Sequence, residues 1–211
     1  VVKKGSNTRA SVSGDMPVGS RLAGDAEMMD RFGVSRTVLR EALKTLEAKG
    51  LVEARPKVGT RVLPQSRWNL FDRQILAWKL ESNPSPAFLA SFQIIRESLE
   101  LQAAALAARN REAEHVRLLN YWLNQRTAMS HQPEPFAMAE FEIHHVIAEA
   151  SGNPFLRAAS AIVEFGVVRD VLDCLDPDRQ PPPAGLASAL ALPYSTLVRA
   201  IERGDPQDAR L

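Results

Sequence analysis

The chain has 211 residues, 45% hydrophobic and 24% charged, with a formal net charge of +1, which is the composition of an ordinary folded protein long enough for one or two cored domains. Those figures exclude a disordered chain. The absence of a long apolar run or a signal-peptide pattern, together with a single cysteine that cannot close an internal disulfide, excludes a membrane association and predicts a cytoplasmic protein.

The near-zero net charge conceals an asymmetry. Residues 1–66 hold 12 Lys and Arg against 7 Asp and Glu, whereas residues 67–211 hold 14 against 18. A basic first part suits a polyanion such as DNA, and the acidic remainder should avoid it. The opening segment VVKKGSNTRASVSGD is a poor helix former. Asp25 to Phe32 suits a short helix, and Gly33-Val34-Ser35 is a turn of the length that joins two helices of a helix-turn-helix. In the stretch that follows, Leu39, Ala42, Leu43 and Leu46 recur at i, i+3, i+4 and i+7 and make one apolar stripe. Ser35 is placed to cap that helix and Gly50 to end it.

Away from the stripe, Arg36, Arg40 and Lys44 form a basic edge, with Thr37 in the first turn. A basic edge alone is usually a solvated face. Here, however, Leu51 to Arg55 and Thr60 to Leu63 read as two brief strands around Pro56-Lys57-Val58-Gly59. Helix, tight turn, helix and basic hairpin make a winged helix-turn-helix, a fold that lays its second helix in a DNA major groove.

The order Gly19, Leu22, Val34-Ser35-Arg36, Arg40-Glu41-Ala42-Leu43, Leu46, Gly50-Leu51-Val52, Gly59 and Val62 resembles the DNA-binding domain of the GntR family of bacterial transcription regulators. By that resemblance Ser35, Arg36, Thr37 and Arg40 occupy operator-contacting positions, and Lys57 lies near the wing tip. Such domains open with a helix before the Pro17-Val18-Gly19 turn, which the first residues here suit poorly. Many members of the fatty-acid-responsive branch carry an Arg directly after the acidic residue of the preceding helix; this chain has Ala26 after Asp25, which implies a different operator.

A winged domain over residues 1–66 is followed by a connector, residues 67–86. There Asn69 is expected to cap a short helix, with Asp72 at its third position and Phe71, Ile75 and Trp78 docked on one face, ending at Asn83-Pro84-Ser85-Pro86. The run RWNLFDRQILAWKLES resembles the connector of GntR members that repress galactonate operons.

Residues 87–211 read as all-helical: Phe88 to Arg109, Glu112 to Ser130, Glu134 to Ala150, Asn153 to Leu175, and a last helix from about Leu186 or Pro193. The segment DPDRQPPP, 176–183, reads as a loop, and Cys174 in VVRDVLDCL as a packed small side chain. This part resembles the FCD domain, the effector-binding helical bundle of the fatty-acid-regulator branch. The likeness rests on Ile95-Arg96 with Leu99-Glu100, on Ala104 to Ala108, on His144 and the run Ala148 to Leu156, and on Ala200-Ile201 with Gly204-Asp205. It also implies that the last helix continues beyond Leu211.

FCD domains often bind a divalent metal such as zinc through an Asp and a His four residues later, with further histidines from later helices. The first pair here is Glu140 and His144, on one helix face. No histidine follows His145, and Tyr194 falls where the resemblance would put the last one. Asp170, Asp173, Glu164 and Tyr194 are the groups available to complete a metal site; the alternative is that His144 bonds an anionic effector or Glu140. His145 should point elsewhere, and His115 and His131 should lie at the surface.

Arg96, on an otherwise apolar helix, offers a planar fork for a carboxylate. It either meets a ligand, as the matching Arg does in FCD relatives, or bridges to a neighbouring helix through Glu140 or Glu164. Effector-contacting residues are therefore expected at Arg96, Glu140, His144 and Tyr194.

The whole reads as a homodimeric, ligand-responsive regulator, a repressor of a sugar-acid or small-carboxylate catabolic operon that leaves a near-palindromic operator DNA when effector binds. The competing readings are a helical-bundle metal-dependent enzyme with a nucleic-acid-binding appendage, and a DNA-binding dimer whose pocket senses nothing.

Overall fold

A computed structural model of the chain describes residues 17–55, 58–82, 84–175 and 194–210. The expectations for residues 1–16, for Lys57, for the loop 176–183, for the start of the last helix and for the side chains of Asp173 and Cys174 lie outside the described residues. The chain divides into two compact units, Val1–Pro86 and Ala87–Leu211.

In the first unit, helix α1 runs Asp25–Phe32 and stops at Gly33, whose φ of 60° lets its N–H and that of Val34 turn back onto the carbonyls of Asp30 and Met29. Ser35 then caps helix α2, Arg36–Ala48, by accepting from Val38 N at 3.4 Å. Leu39 and Leu46 of the apolar stripe are buried, with Leu43 packed partly against the same core. Strands β1, Val52–Arg55, and β2, Gly59–Val62, pair antiparallel with Val52 opposite Val62 and Arg55 opposite Gly59.

A third extended segment lies along β2. Gly19 N donates to Val62 O at 2.9 Å, Val62 N to Ser20 O at 3.0 Å and Leu22 N to Thr60 O at 2.8 Å. Gly59 is required at that crossing: its φ is +95°, and an added Cβ would sit 2.7 Å from Arg21 Nε.

The connector is built differently from the expectation. Helix α3 begins at Arg73 and runs to Glu81, and its cap is Asp72, which accepts from Gln74 N and Ile75 N. Asn69 instead closes a local turn, accepting from Phe71 N at 3.3 Å. That displacement turns Phe71 outward, leaving it 60% exposed, while Ile75 is fully buried in the core with Leu46, Leu51 and Val62.

The chain is fastened to the end of α2 before α3 begins. Asn69 N donates to Lys49 O, Trp68 Nε1 donates to Leu63 O, and the Lys49 ammonium pairs with the Asp72 carboxylate. Burial alone would raise the Asp72 pKa; its bonds from Lys49, Ile75 and Gln74 outweigh that and hold it below the usual carboxylate range.

The second unit is helical throughout its described residues. It comprises α4, Pro86–Asn110; α5, Ala113–Ala128; α6, Pro133–Ala150; α7, Pro154–Ala158; α8, Ser160–Leu175; and α9, Tyr194–Arg203. The single helix expected from Asn153 to Leu175 is broken in two at Ala159. Asn153 starts α7 by accepting from Phe155 N and Leu156 N, with Pro154 in the first helical position.

Alanines at 103, 104, 107 and 108 form the buried side of α4, and their small side chains let it pack closely against Leu119 of α5, Ile143, Val146 and Ile147 of α6, and Val198 and Ile201 of α9. His115 lies at the start of α5, where its Nδ1 accepts from Glu112 N, so it serves as a cap. Among the described residues no helix is long and apolar enough to cross a membrane.

Candidate functional site

The first unit presents the edge of α2 that the sequence singled out. Ser35, Arg36, Thr37, Arg40 and Lys44 are all exposed, and the Lys44 ammonium also holds Glu41 of the same helix at 2.9 Å. A groove runs between this helix and the hairpin, with Arg40, Lys44 and Glu47 along one wall and Ala54 and Thr60 along the other. The helix edge and the strands therefore face a common channel with two cations on its rim.

The second unit gathers its charges inside. Arg96 is 3% exposed; its Nε donates to Glu100 Oε1 at 2.9 Å on the same helix, and a terminal nitrogen donates to Asp170 Oδ2 of α8 at 2.6 Å. Its partners are thus Glu100 and Asp170, not the Glu140 or Glu164 expected for a structural bridge. An added Cβ at Gly166 would lie 2.4 Å from Arg96 Cδ, so a glycine on α8 makes room for the arginine stem. Burial works to lower the Arg96 pKa, but the two carboxylates reverse that and raise it, so the group is a permanent cation.

Glu140 is 2% exposed and accepts from Arg126 Nε at 2.9 Å. Burial pushes the Glu140 carboxyl above its usual range, opposed by that guanidinium. Arg126 itself is buried against two rings, its guanidinium carbon 4.7 Å from the centroid of Phe136 and 4.6 Å from that of Tyr194.

His144 and Tyr194 are brought together, with Nε2 2.9 Å from the phenolic oxygen. Burial lowers the imidazole pKa to about 3, so the ring is neutral, and burial raises that of Tyr194, which keeps its proton. His144 Nδ1 lies 3.7 Å from Glu100 Oε1, longer than a hydrogen bond but on the side of a carboxylate. This favours the tautomer with the proton on Nδ1, leaving Nε2 to accept the Tyr194 hydroxyl proton. His144 therefore bonds Tyr194, not Glu140.

A pocket opens beside this cluster, lined by Leu99, Glu100, Phe141, His144, His145 and Ser160 among others. His145, expected to point elsewhere, reaches the same pocket while its ring lies 6.0 Å from that of Phe141.

Of the expected effector residues only His144 lines this pocket; Tyr194 is bonded to His144, Arg96 reaches the pocket wall through Glu100, and Glu140 is paired with Arg126. Sequence reasoning missed Arg126 and gave Glu100 no role. The signal for Arg126 was present: it follows Leu119, Trp122 and Leu123 at i+7, i+4 and i+3, on the apolar stripe of α5, where a solvated arginine would not be placed.

The donor set does not fit a metal. Glu140 and His144 already bond Arg126 and Tyr194, and Asp170 bonds Arg96. Among the described residues no group of three or more His, Cys, Asp or Glu could hold an ion.

The family model for bacterial regulatory proteins of the gntR family matches residues 12–62, and the FCD domain model matches residues 93–211. This chain belongs to the GntR family, with an FCD domain as its second part. Its relatives include an uncharacterized HTH-type transcriptional regulator of Escherichia coli, YieP, 38% identical over 72% of this chain and 66% of the relative. Another is the galactonate operon transcriptional repressor of the same species, 29% identical over 72% of this chain and 66% of the relative.

The matched part thus spans just under two thirds of either relative. A solved structure of Lar, described as controlling the Listeria monocytogenes agr system, shares the fold with a TM-score of 0.59 at 15% identity, over 99% of this chain and 88% of that one. Both matched domains are those of transcription regulators of this family, and neither is an enzyme family, which weighs against the helical-bundle metal-dependent enzyme with a nucleic-acid-binding appendage.

Proposed function

We propose that this chain is a homodimeric, cytoplasmic, effector-responsive regulator that represses a catabolic operon for a sugar acid or another small carboxylate. The observation that carries this reading is the pairing of an exposed cationic helix edge in one unit with a buried guanidinium, Arg96, bonded to Glu100 on the wall of a pocket in the other. The name of the galactonate relative supports the ligand class.

In this reading Ser35, Arg36, Thr37, Arg40 and Lys44 meet the operator, and Lys57, at the wing tip by resemblance, meets its backbone. Their side chains supply what groove reading needs: short polar groups and guanidiniums at the first turns of a helix, with phosphate-seeking cations flanking them. Two heads on a two-fold axis match a near-palindromic operator. The exposed Ile94, Ile95 and Leu101 of α4 offer an apolar face on which a second copy can pack.

The effector carboxylate meets Arg96, with His144 and Tyr194 as neutral hydrogen-bonding groups and Glu140 behind them. To regulate, the ligand must bind two arrangements of the dimer with different affinity.

The test begins by selecting bound duplexes from a random library, then adding D-galactonate and other sugar acids while following anisotropy and thermal shift. Arg40→Ala should lose duplex binding and keep the ligand-induced thermal shift; Arg96→Ala should keep duplex binding and lose the shift. Equal loss of duplex binding in both variants would refute the division of labour. Duplex binding with no response to any carboxylate would mark a dimer whose pocket senses nothing.

A further inference from the structure

The pair Glu140 and His144 has the spacing of two metal ligands on one helix, yet each is committed to a partner from another helix. Glu140 Oε1 accepts from Arg126 Nε at 2.9 Å, and His144 Nε2 shares a hydrogen bond with the Tyr194 hydroxyl at 2.9 Å. What stands next to Glu140 is already a cation. The Arg126 guanidinium is buried, bonded to a carboxylate that is itself 2% exposed, and set over two aromatic rings whose centroids lie 4.7 and 4.6 Å away.

Two ring faces and a carboxylate are the surroundings that stabilise a guanidinium without solvent. A divalent ion on Glu140 would have to displace that bond, face a like charge at close range and break the His144–Tyr194 contact as well. The other nearby carboxylates give no relief, because Glu100 and Asp170 both hold Arg96.

We propose that Arg126 is the resident cation of this site in place of a divalent metal, so that the domain holds its Glu140, His144 and Tyr194 geometry and receives its effector without any ion. This rests on reading the helical domain as the sensor. It also shifts the expected ligand preference: a metal favours ligands that chelate through a carboxylate and a neighbouring hydroxyl, whereas a site of guanidiniums favours the planar carboxylate itself.

The test uses the full chain and zinc chloride alone. After incubation with zinc and gel filtration, metal analysis of the wild type should find no stoichiometric zinc, and its melting temperature should be the same in zinc and in EDTA. Arg126→His removes the guanidinium and adds an imidazole beside Glu140 and His144. That variant should retain about one zinc per chain, melt higher in zinc than in EDTA, and show the visible bands of a protein-bound ion when cobalt replaces zinc.

Stoichiometric zinc in the wild type, lost on His144→Gln, would overturn the proposal. So would an Arg126→His chain that folds and is no more responsive to zinc than the wild type. Should Arg126→His fail to fold, the wild-type metal content and its zinc and EDTA melts decide alone. No effector or operator enters these measurements, so a zinc-loaded wild type would refute the metal-free site and leave the regulator reading intact, while a chain that answers no carboxylate would do the reverse.

Discussion

Arg40 and Arg96 carry the same guanidinium in opposite settings. Arg40 stands on an exposed helix edge with Arg36 and Lys44, where water and counterions neutralise it. Arg96 is 3% exposed and clamped by Glu100 and Asp170. The first kind of charge can take up a phosphate by releasing loosely held ions, so its binding is strongly salt-dependent.

The second kind must stay paired at every moment, because an unpaired buried charge is very costly. A carboxylate arriving at Arg96 would compete with Glu100 and Asp170, which already hold its Nε and one terminal nitrogen. Asp170 is on α8 and Arg96 on α4, so losing the Asp170 bond in that competition would remove a tie between two helices. Binding at the basic edge would add contacts, whereas an exchange in the bundle would change which helices are held together.

The sharpest way to break this contrast is to unpair a buried charge. Arg126→Ala should lower the stability of the chain by about 3–5 kcal/mol, the usual cost of stranding the partner of a buried ion pair. Replacing both members, Arg126→Met with Glu140→Leu, should recover most of that loss, because the pair is then absent and not broken. Urea denaturation of both variants measures this. A loss below about 1 kcal/mol for Arg126→Ala would place the pair among surface bridges and dissolve the contrast.

On the exposed side the effect should fall on binding and not on folding. Arg40→Ala should weaken affinity for a selected duplex by about 1–3 kcal/mol, while its urea midpoint stays within about 0.5 kcal/mol of the wild type. Lys44→Ala should weaken all duplexes alike and flatten the salt dependence, as loss of a phosphate contact does. Anisotropy titrations over a range of salt separate the two. If Arg40→Ala destabilised the fold as much as it weakened binding, the edge would be structural.

The exposed side was also the more legible one. Helix α1 ends where the residues placed it, at Phe32 before Gly33, and Ser35 caps α2, because caps and apolar periodicity are local and can be read off neighbouring residues. The connector was misjudged for a related reason. Asn69 and Asp72 are both good caps, and only Lys49, far back in the chain, decides between them by pairing with Asp72.

The buried cluster was legible in part. Glu140 and His144 announce themselves by spacing, and Arg96 by its apolar helix, but their partners come from elements 14, 50 and 74 residues away. Periodicity says which face of a helix is inward and not what it will meet there. The extended segment 19–22 was missed because its bonds to β2 are set by the tertiary fold, and its four residues are too few to show alternation.

The smallest and most specific effect concerns acid. His144 is faced by Arg96 and Glu100 from α4, Asp170 from α8 and Tyr194 from α9, and its pKa falls from 6.5 to about 3 on folding, chiefly through burial and then through Arg96. Between those two values the unfolded chain binds a proton on this ring that the folded chain does not. The neutral histidine therefore contributes stability that is complete above about pH 6.5 and is lost as the pH falls toward 3, at no more than about 1.4 kcal/mol per pH unit. Glu100 and Glu140 act in the opposite sense, because burial raises their pKa values and the folded chain then takes up their protons more readily than the unfolded one. The wild-type profile is a sum of both, so the informative quantity is the difference between wild type and His144→Gln. Urea midpoints taken from pH 8 to pH 4 should show the variant's acid limb shallower than the wild type's, with parallel curves above about pH 7. Identical limbs would mean that His144 takes up its proton as easily inside the bundle as outside, and that the interior is wetter than its packing implies.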